Sequence, residues 1–362
     1  MQRFALSFLF ATGLLICSCL VALQGATADE EISPKISVQP VLKGLDHPWT
    51  LVFGPDGQLY FTERSGRVSR WDLHSAKPVR FSGVPKPRVQ GEAGLLGMAL
   101  DPRFAENGFI YLCYSTGGPS GPGNRVSRFH LSGDALRDEK TLLDDLAGAR
   151  YHNGCRIILA PDEKHLFISM GEATRAAEAQ NLNFRGGKIF RIALDGGIPA
   201  DNPFPGSPVW SLGHRNPQGL RFRSNGELWS TEHGPDTQDE LNIIVKGGNY
   251  GWPQCRGTDP CPGLKNYHPA IAEFTRDDTI AISDLIFYRG KAFPDWQGDI
   301  LFVSLKAGRL YRLQLDGHKV AKTEILIDDQ FGRLRDIAEA PDGTLYISTG
   351  NDDDSILHVR PK

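Results

Sequence analysis

The chain has 362 residues, 40% of them hydrophobic and 23% charged, with a formal net charge of -3. That length supports one large β domain or two ordinary ones, and the near-neutral balance excludes a general attraction to nucleic acid or anionic membranes. The 40 glycines and 24 prolines favour an all-β chain with many tight turns.

At the N-terminus, Arg3 is the only charge before Asp29, Phe4 to Leu23 is mostly apolar, and Ala26-Thr27-Ala28 has the small-x-small form of a cleavage site. Residues 1–28 are expected to be a signal peptide, cut after Ala28. An uncleaved membrane anchor is the alternative, because the apolar run nearly spans a bilayer; Ser7, Thr12, Gly13 and Ser18 weaken it. Ile16-Cys17-Ser18 fits a lipoprotein signal at Cys19 only loosely. Cleavage would leave Cys113, Cys155, Cys255 and Cys261, and an even number in an exported chain invites disulfides. Cys255 and Cys261 flank a short loop and are expected to pair, while Cys113 and Cys155 are either bonded or buried thiols.

From Leu51 onward one unit recurs six times: an apolar run, a turn rich in Pro, Asp, Asn or Gly, and two further apolar runs. In the first unit these are Leu51-Val52-Phe53, Pro55-Asp56-Gly57, Leu59 to Thr62 and Arg67 to Trp71. The second to sixth units begin at Met98, Ile157, Leu220, Leu285 and Ile337. Asp-Gly and Asn-Gly suit tight hairpin turns, and the runs are short and rich in β-branched and aromatic residues. Repeats of this length predict an all-β fold, a six-bladed β-propeller with four-stranded antiparallel blades, over residues 29–362. A pair of β-sandwiches is the other reading. Arg80-Phe81 and Thr323 to Leu326 are candidate fourth strands, and Lys35 to Leu42 is expected to complete the last blade. The segments 171–187, 198–215 and 249–281 interrupt the pattern as insertions, which in repeat folds tend to gather on one face and build the site.

No Ser-His-Asp order, phosphate-cradling glycine motif or HExxH pattern is present. Three other clusters stand out. His152, in Tyr151-His152-Asn153-Gly154, could take a proton from a hydroxyl, or it could be a structural histidine before a strand. Arg215-Asn216-Pro217 offers a planar cation and an amide on a rigid turn, suited to an anionic planar ligand or simply to stapling the turn. Glu232-His233-Gly234-Pro235, followed by Asp239-Glu240, offers carbonyls and acids of the kind that suit Ca²⁺, although acidic loops are more often only solvated. Late in the chain come Lys306, Arg333 and Arg335; alternation along a strand would put the two arginines on one side, able to clamp a carboxylate.

Taken in order, from Leu45-Asp46-His47-Pro48-Trp49 to the last repeat, these motifs resemble the soluble quinoprotein glucose/aldose sugar dehydrogenases, six-bladed propellers that use pyrroloquinoline quinone (PQQ) and calcium. The resemblance implies that His152 is the catalytic base and that Arg215 lies over the site, contacting the quinone with Asn216. It also implies that Gly234 and Pro235 ligate Ca²⁺ through their carbonyls, and that Thr279, Lys306, Arg333 and Arg335 contact the cofactor. Glu92, in Gly91-Glu92-Ala93-Gly94-Leu95-Leu96, stands where the family has a Gln near substrate, and Asp277 stands where some relatives carry an aromatic substrate wall. The implied reaction is oxidation of an aldose at its anomeric hydroxyl to the lactone, in the periplasm or outside the cell. An external electron acceptor completes it, with no nucleic acid and no stable membrane insertion, on a monomer or homodimer. A non-catalytic binding propeller of the same superfamily and a sugar lactonase are the competing readings.

Overall fold

A computed structural model describes residues 36–362 except 119, 120, 276 and 352, so the expected signal peptide lies outside the described residues. Among the described residues, 24 strands form six four-stranded antiparallel sheets, the blades of a propeller. The innermost strands of blades 1 to 6 are Pro48–Phe53, Leu95–Leu100, Gly154–Leu159, Pro217–Phe222, Ile282–Phe287 and Leu334–Glu339. Each packs beside the inner strands of the adjacent blades, and Pro48–Phe53 meets Leu334–Glu339, which closes the ring. Ile36–Leu45 pairs with the C-terminal strand Asp354–Pro361, so the two ends of the described chain share blade 6. This closure leaves little free sheet edge.

The repeated turn explains the repeated hairpin. In blades 1, 4 and 6 the Asp56, Asn225 or Asp342 side chain accepts the backbone N–H two residues on, at 3.1, 3.1 and 2.9 Å. The glycine between them takes a left-handed conformation, φ +74° at Gly57, which few other residues adopt without strain. Hydroxyls near the end of the second strands tie blade to blade: Thr62 donates to Leu96 O at 2.7 Å and Ser169 to Pro217 O at 2.9 Å. Between the sheets the core is apolar, as where Leu166, Ile168 and Phe190 of blade 3 pack with Tyr111 and Val126 of blade 2.

Two expectations need correction. Val209–Leu212 and Ala272–Phe274, inside segments read as insertions, are the outer strands of blades 3 and 4. They are short and flanked by polar turns, which hides them. Nor do all the insertions gather on one face. Residues 194–208 join the third and fourth strands of blade 3, at the same end as the Asp56-type hairpin turns; by strand alternation this is opposite the ends where the inner strands begin. Segment 249–271 instead climbs beside blade 3, with Asn249 bridging in parallel to Leu212, and Trp252 N–H reaches Gly213 O.

All six inner strands slip register near their first residues, between Pro48 and Thr50, Leu95 and Met98, Gly154 and Ile157, Pro217 and Gly219, Ile282 and Leu285, and Leu334 and Asp336. Such bulges re-aim side chains. The residues they free include Trp49, Arg156, Gln218, Asp284 and Arg335. Arg156 is 1% exposed. Its Nε donates to Gln218 O at 3.0 Å, its Nη1 lies 2.6 Å from Asp336, and Asp284 lies 3.5 Å from Nε. Asp284 also binds Arg221 at 2.9 Å, and Asp336 accepts Leu51 N–H at 2.6 Å. Removing one member of a buried ion cluster strands the rest. Arg156→Met is expected to cost about 3–5 kcal/mol in urea unfolding at pH 7, with Asp336→Asn in the same chain recovering about 1 kcal/mol or more; a loss under about 1 kcal/mol would show that the carboxylates are not charged there.

Candidate active site

His152 sits in the turn before the inner strand of blade 3, with φ +59°. Its Nδ1 is 2.7 Å from Glu172 Oε1, and its backbone N–H donates to Glu92 Oε2 at 2.9 Å. A carboxylate at Nδ1 fixes the proton there and leaves Nε2 as the basic nitrogen. Glu172 is 2% exposed, and its other oxygen has no hydrogen-bond partner. The sequence reading missed Glu172. The repeat carried only part of the signal: Glu63 and Glu232 close the second strands of blades 1 and 4, whereas Glu172 lies two residues past Met170, which closes the second strand of blade 3. Glu63, Glu172 and Glu232 each turn back to the start of an inner strand, at Asp46 N, at His152, and at His214 and Arg215 N.

The starts of the inner strands and the turns after the second strands meet at one end of the channel. There a cavity of about 140 Å³ is lined by Trp49, Glu92, His233, Arg333 and Arg335, with Asn153 and Gly154 beside His152. Its size is below that of an ordinary ligand pocket. Arg333 and Arg335 thus share one cavity as expected, but strand alternation is not the cause. Arg333 precedes the strand, and Arg335 is the bulged residue. Arg335 donates to Gln218 Oε1 at 2.9 Å and lies 5.9 Å from the centre of the Trp49 ring. Burial pulls its pKa down to about 10, against the opposing pull of Glu92.

Arg215 and Asn216 lie just before the inner strand of blade 4. The Arg215 guanidinium is 5.4 Å from the Trp252 ring, and Nη1 donates to His233 O at 3.3 Å. Asn216 Oδ1 accepts Gly154 N–H at 3.1 Å and Gln218 Nε2 at 3.0 Å. Arg215 Nε, Asn216 Nδ2, Trp252 Nε1 and His233 Nε2 are buried without partners. Unsatisfied buried donors are costly, about 1–3 kcal/mol each, so Arg215 Nε, Asn216 Nδ2 and Trp252 Nε1 could each serve an acceptor-rich ligand or a water. Burial holds the His233 pKa down at about 3, so the ring stays neutral.

Gly234 follows His233. A Cβ at Gly234 would meet Thr237 O at 1.9 Å, so glycine is required there. Asp239 locks the turn, accepting from Gly234 N at 2.9 Å, Thr279 Oγ1 at 2.6 Å, Ile280 N at 2.8 Å and Ala281 N at 2.7 Å. The Thr279 hydroxyl is therefore engaged in joining blade 5 to the Gly234-Pro235 turn. Among the described residues, no group of three or more His, Cys, Asp or Glu side chains is placed to hold a metal ion, so an ion at this turn would depend on backbone oxygens. Lys306 is half-exposed and paired with Asp278 at 2.5 Å, while its neighbour Leu305 lines the cavity.

The segment after Glu172 is anchored by buried Lys188, whose Nζ donates to Ala179 O and Gly186 O at 2.8 Å each. Burial drives its pKa down to about 7, from 10.5. The unfolded chain then binds more protons than the folded one between those values, so stability rises with pH across that window, by about 1.4 kcal/mol per pH unit at most. Lys188→Met lacks this gain. The stability difference between wild type and variant, measured by urea unfolding, is expected to grow in favour of the wild type from pH 7 to pH 10; a constant difference would show that Lys188 keeps its proton.

The glucose / sorbosone dehydrogenase family profile matches residues 45–358. The chain is 34% identical to Aldose sugar dehydrogenase YliI of Escherichia coli (strain K12), over 90% of this chain and 93% of that protein. It is 30% identical to Quinoprotein glucose dehydrogenase B of Acinetobacter calcoaceticus, over 88% and 87% of the respective lengths. Among solved structures, the PQQ-bound form of Aldose Sugar Dehydrogenase from Streptomyces coelicolor superposes with a TM-score of 0.78, at 32% identity over 90% of this chain and 98% of that one.

Proposed function

Because the chain belongs to the glucose / sorbosone dehydrogenase family, we propose that it is a PQQ-dependent aldose dehydrogenase that oxidises the anomeric hydroxyl of a sugar to the lactone. One observation carries this reading: unpartnered buried donors and two arginines converge at the end of the channel where His152 is held by Glu172. Arg215, Asn216, Arg333 and Arg335 would hold the carboxylates and carbonyl oxygens of the quinone, with Lys306 at the rim and Thr279 beside it. The Gly234 and Pro235 carbonyls would ligate Ca²⁺, a hard cation that prefers oxygen.

When bound, the quinone supplies the two-electron acceptor for the hydride that leaves the sugar. The chain's own part is positioning and proton movement. Nε2 of His152 takes the proton of the anomeric hydroxyl, and Glu172 holds Nδ1–H and stabilises the imidazolium that forms. Glu92 offers an acceptor to a sugar hydroxyl while its other oxygen carries the His152 N–H. Electrons leave to an external acceptor. The two disulfides, Cys113–Cys155 and Cys255–Cys261, suit an oxidising compartment and support export after loss of residues 1–28.

The purified chain, given PQQ and Ca²⁺, is expected to bind the chromophore and reduce a dye when supplied with an aldose; lactone hydrolysis without quinone would favour a lactonase instead. In the same assay His152→Ala is expected to lower kcat by about 10³-fold or more while leaving the quinone titration within about threefold of wild type. Undiminished turnover would remove His152 from this role. Arg335→Met is expected to do the reverse, weakening quinone binding by about tenfold or more, read by the same absorbance titration.

A further inference from the structure

In the turn that carries His152, three of four consecutive residues are left-handed: His152 at φ +59°, Gly154 at +58° and Cys155 at +78°. That region is disfavoured for residues with a Cβ, so something must hold Cys155 there. Sheet pairing does not, because the register slips between Gly154 and Ile157 and leaves Cys155 outside the ladder. A covalent bond does reach it. Cys155 is fully buried and bonded to Cys113, in the second strand of blade 2, Phe109–Gly118.

The surroundings leave little room for another arrangement. The Cys155 carbonyl would lie 2.0 Å from a Cβ at Gly97, and the His152 carbonyl 2.1 Å from one at Gly171, so backbone abuts the segment from blade 2 on one side and from the Glu172 turn on the other. Asn153 is braced by Asn124 Nδ2 and Ala149 N–H, both at 3.1 Å. If Cys155 relaxed to negative φ, the peptide plane before it would rotate, and Gly154 and His152 would move with it.

We propose that the Cys113–Cys155 disulfide is a positioning device for His152: by pinning the bulged backbone to blade 2, it fixes where the imidazole meets Glu172. The proposal rests on His152 acting as the base, as set out above. It differs from ordinary cross-linking in what it predicts for glycine. Glycine accepts φ +78° without strain, so Cys155→Gly keeps the backbone geometry even as it removes packing, whereas Cys155→Ala keeps more packing and favours the wrong backbone.

The test compares C113A/C155A with C113A/C155G in the full mature chain loaded with PQQ and Ca²⁺. C113A/C155A is expected to lose on the order of 10- to 100-fold in kcat, with KM and the quinone titration within about threefold and the acid limb of the kcat–pH profile displaced. C113A/C155G is expected to recover most of that kcat and the wild-type profile although it melts no higher. Wild-type kcat and pH profile in C113A/C155A would overturn the proposal, and so would a glycine variant worse than the alanine variant in both kcat and melting temperature. If C113A/C155A fails to fold, C113V/C155A, which restores buried volume, carries the same comparison. If the wild-type chain shows no quinone-dependent turnover, the proposed function fails. The positioning claim is then read from amide hydrogen exchange: faster exchange at His152 and Gly154 in C113A/C155A than in C113A/C155G supports it, and equal exchange overturns it.

Discussion

A guanidinium sealed inside a protein must have its charge answered on the spot, and Arg156 is answered from across the channel. Asp284 and Asp336 come from blades 5 and 6, the Gln218 carbonyl from blade 4, and the Trp49 ring, 4.5 Å away, from blade 1. No single blade could satisfy this side chain, so the cluster rewards one angular arrangement of the ring over its neighbours. It also divides the channel. Trp49, Gln218 and Arg335 face the cavity beside His152, whereas Arg156 and Arg221 face a wider void of about 540 Å³ toward the opposite end. The site therefore has an ionic floor, and Arg335 reaches it through Trp49 and Gln218.

Above that floor the chain departs from the rule that buried polar groups find partners. Arg215 Nε, Asn216 Nδ2 and Trp252 Nε1 have none, and Glu172 keeps one oxygen free. Arg215 and Asn216 stand just before an inner strand, and Arg215 lies against the Trp252 ring of the segment that climbs beside blade 3. A site preorganised in this way spends little free energy on rearrangement when an acceptor-rich ligand and developing charge arrive. Left-handed non-glycine residues occur at several turns of the chain, and His152 and Cys155 bring two of them to this site, where stored strain can serve geometry.

Much of the architecture was legible along the chain. The Asp-Gly and Asn-Gly turns, the short β-branched runs and their sixfold recurrence all report local physics, because a hairpin turn needs its turn residues wherever it lies. The strand from Ile36 closing blade 6 and the bond between Cys255 and Cys261 were likewise open to reading. The outer strands Val209–Leu212 and Ala272–Phe274 were not, since edge strands of three or four residues carry too little periodicity to distinguish them from the polar loops around them. Glu172 was half legible: like Glu63 and Glu232 it follows the second run of its unit, but Met170 holds their place in blade 3 and Glu172 stands two residues later, so alignment of the units does not single it out.

What the sequence determined by itself was the repeat, the turn chemistry and the residue types available to a redox site: an imidazole, an Arg-Asn pair, a Gly-Pro turn and late cations. What only the tertiary structure decided was which of them meet. The six bulges make the difference, because one extra residue in an inner strand inverts every inference from alternation. Arg335 points where it does because it is that extra residue, and Cys155 bonds to blade 2 for the same reason. A bulge is set by how an inner strand fits against its two neighbours in a closed ring, a long-range constraint that leaves no periodic mark on the residues themselves.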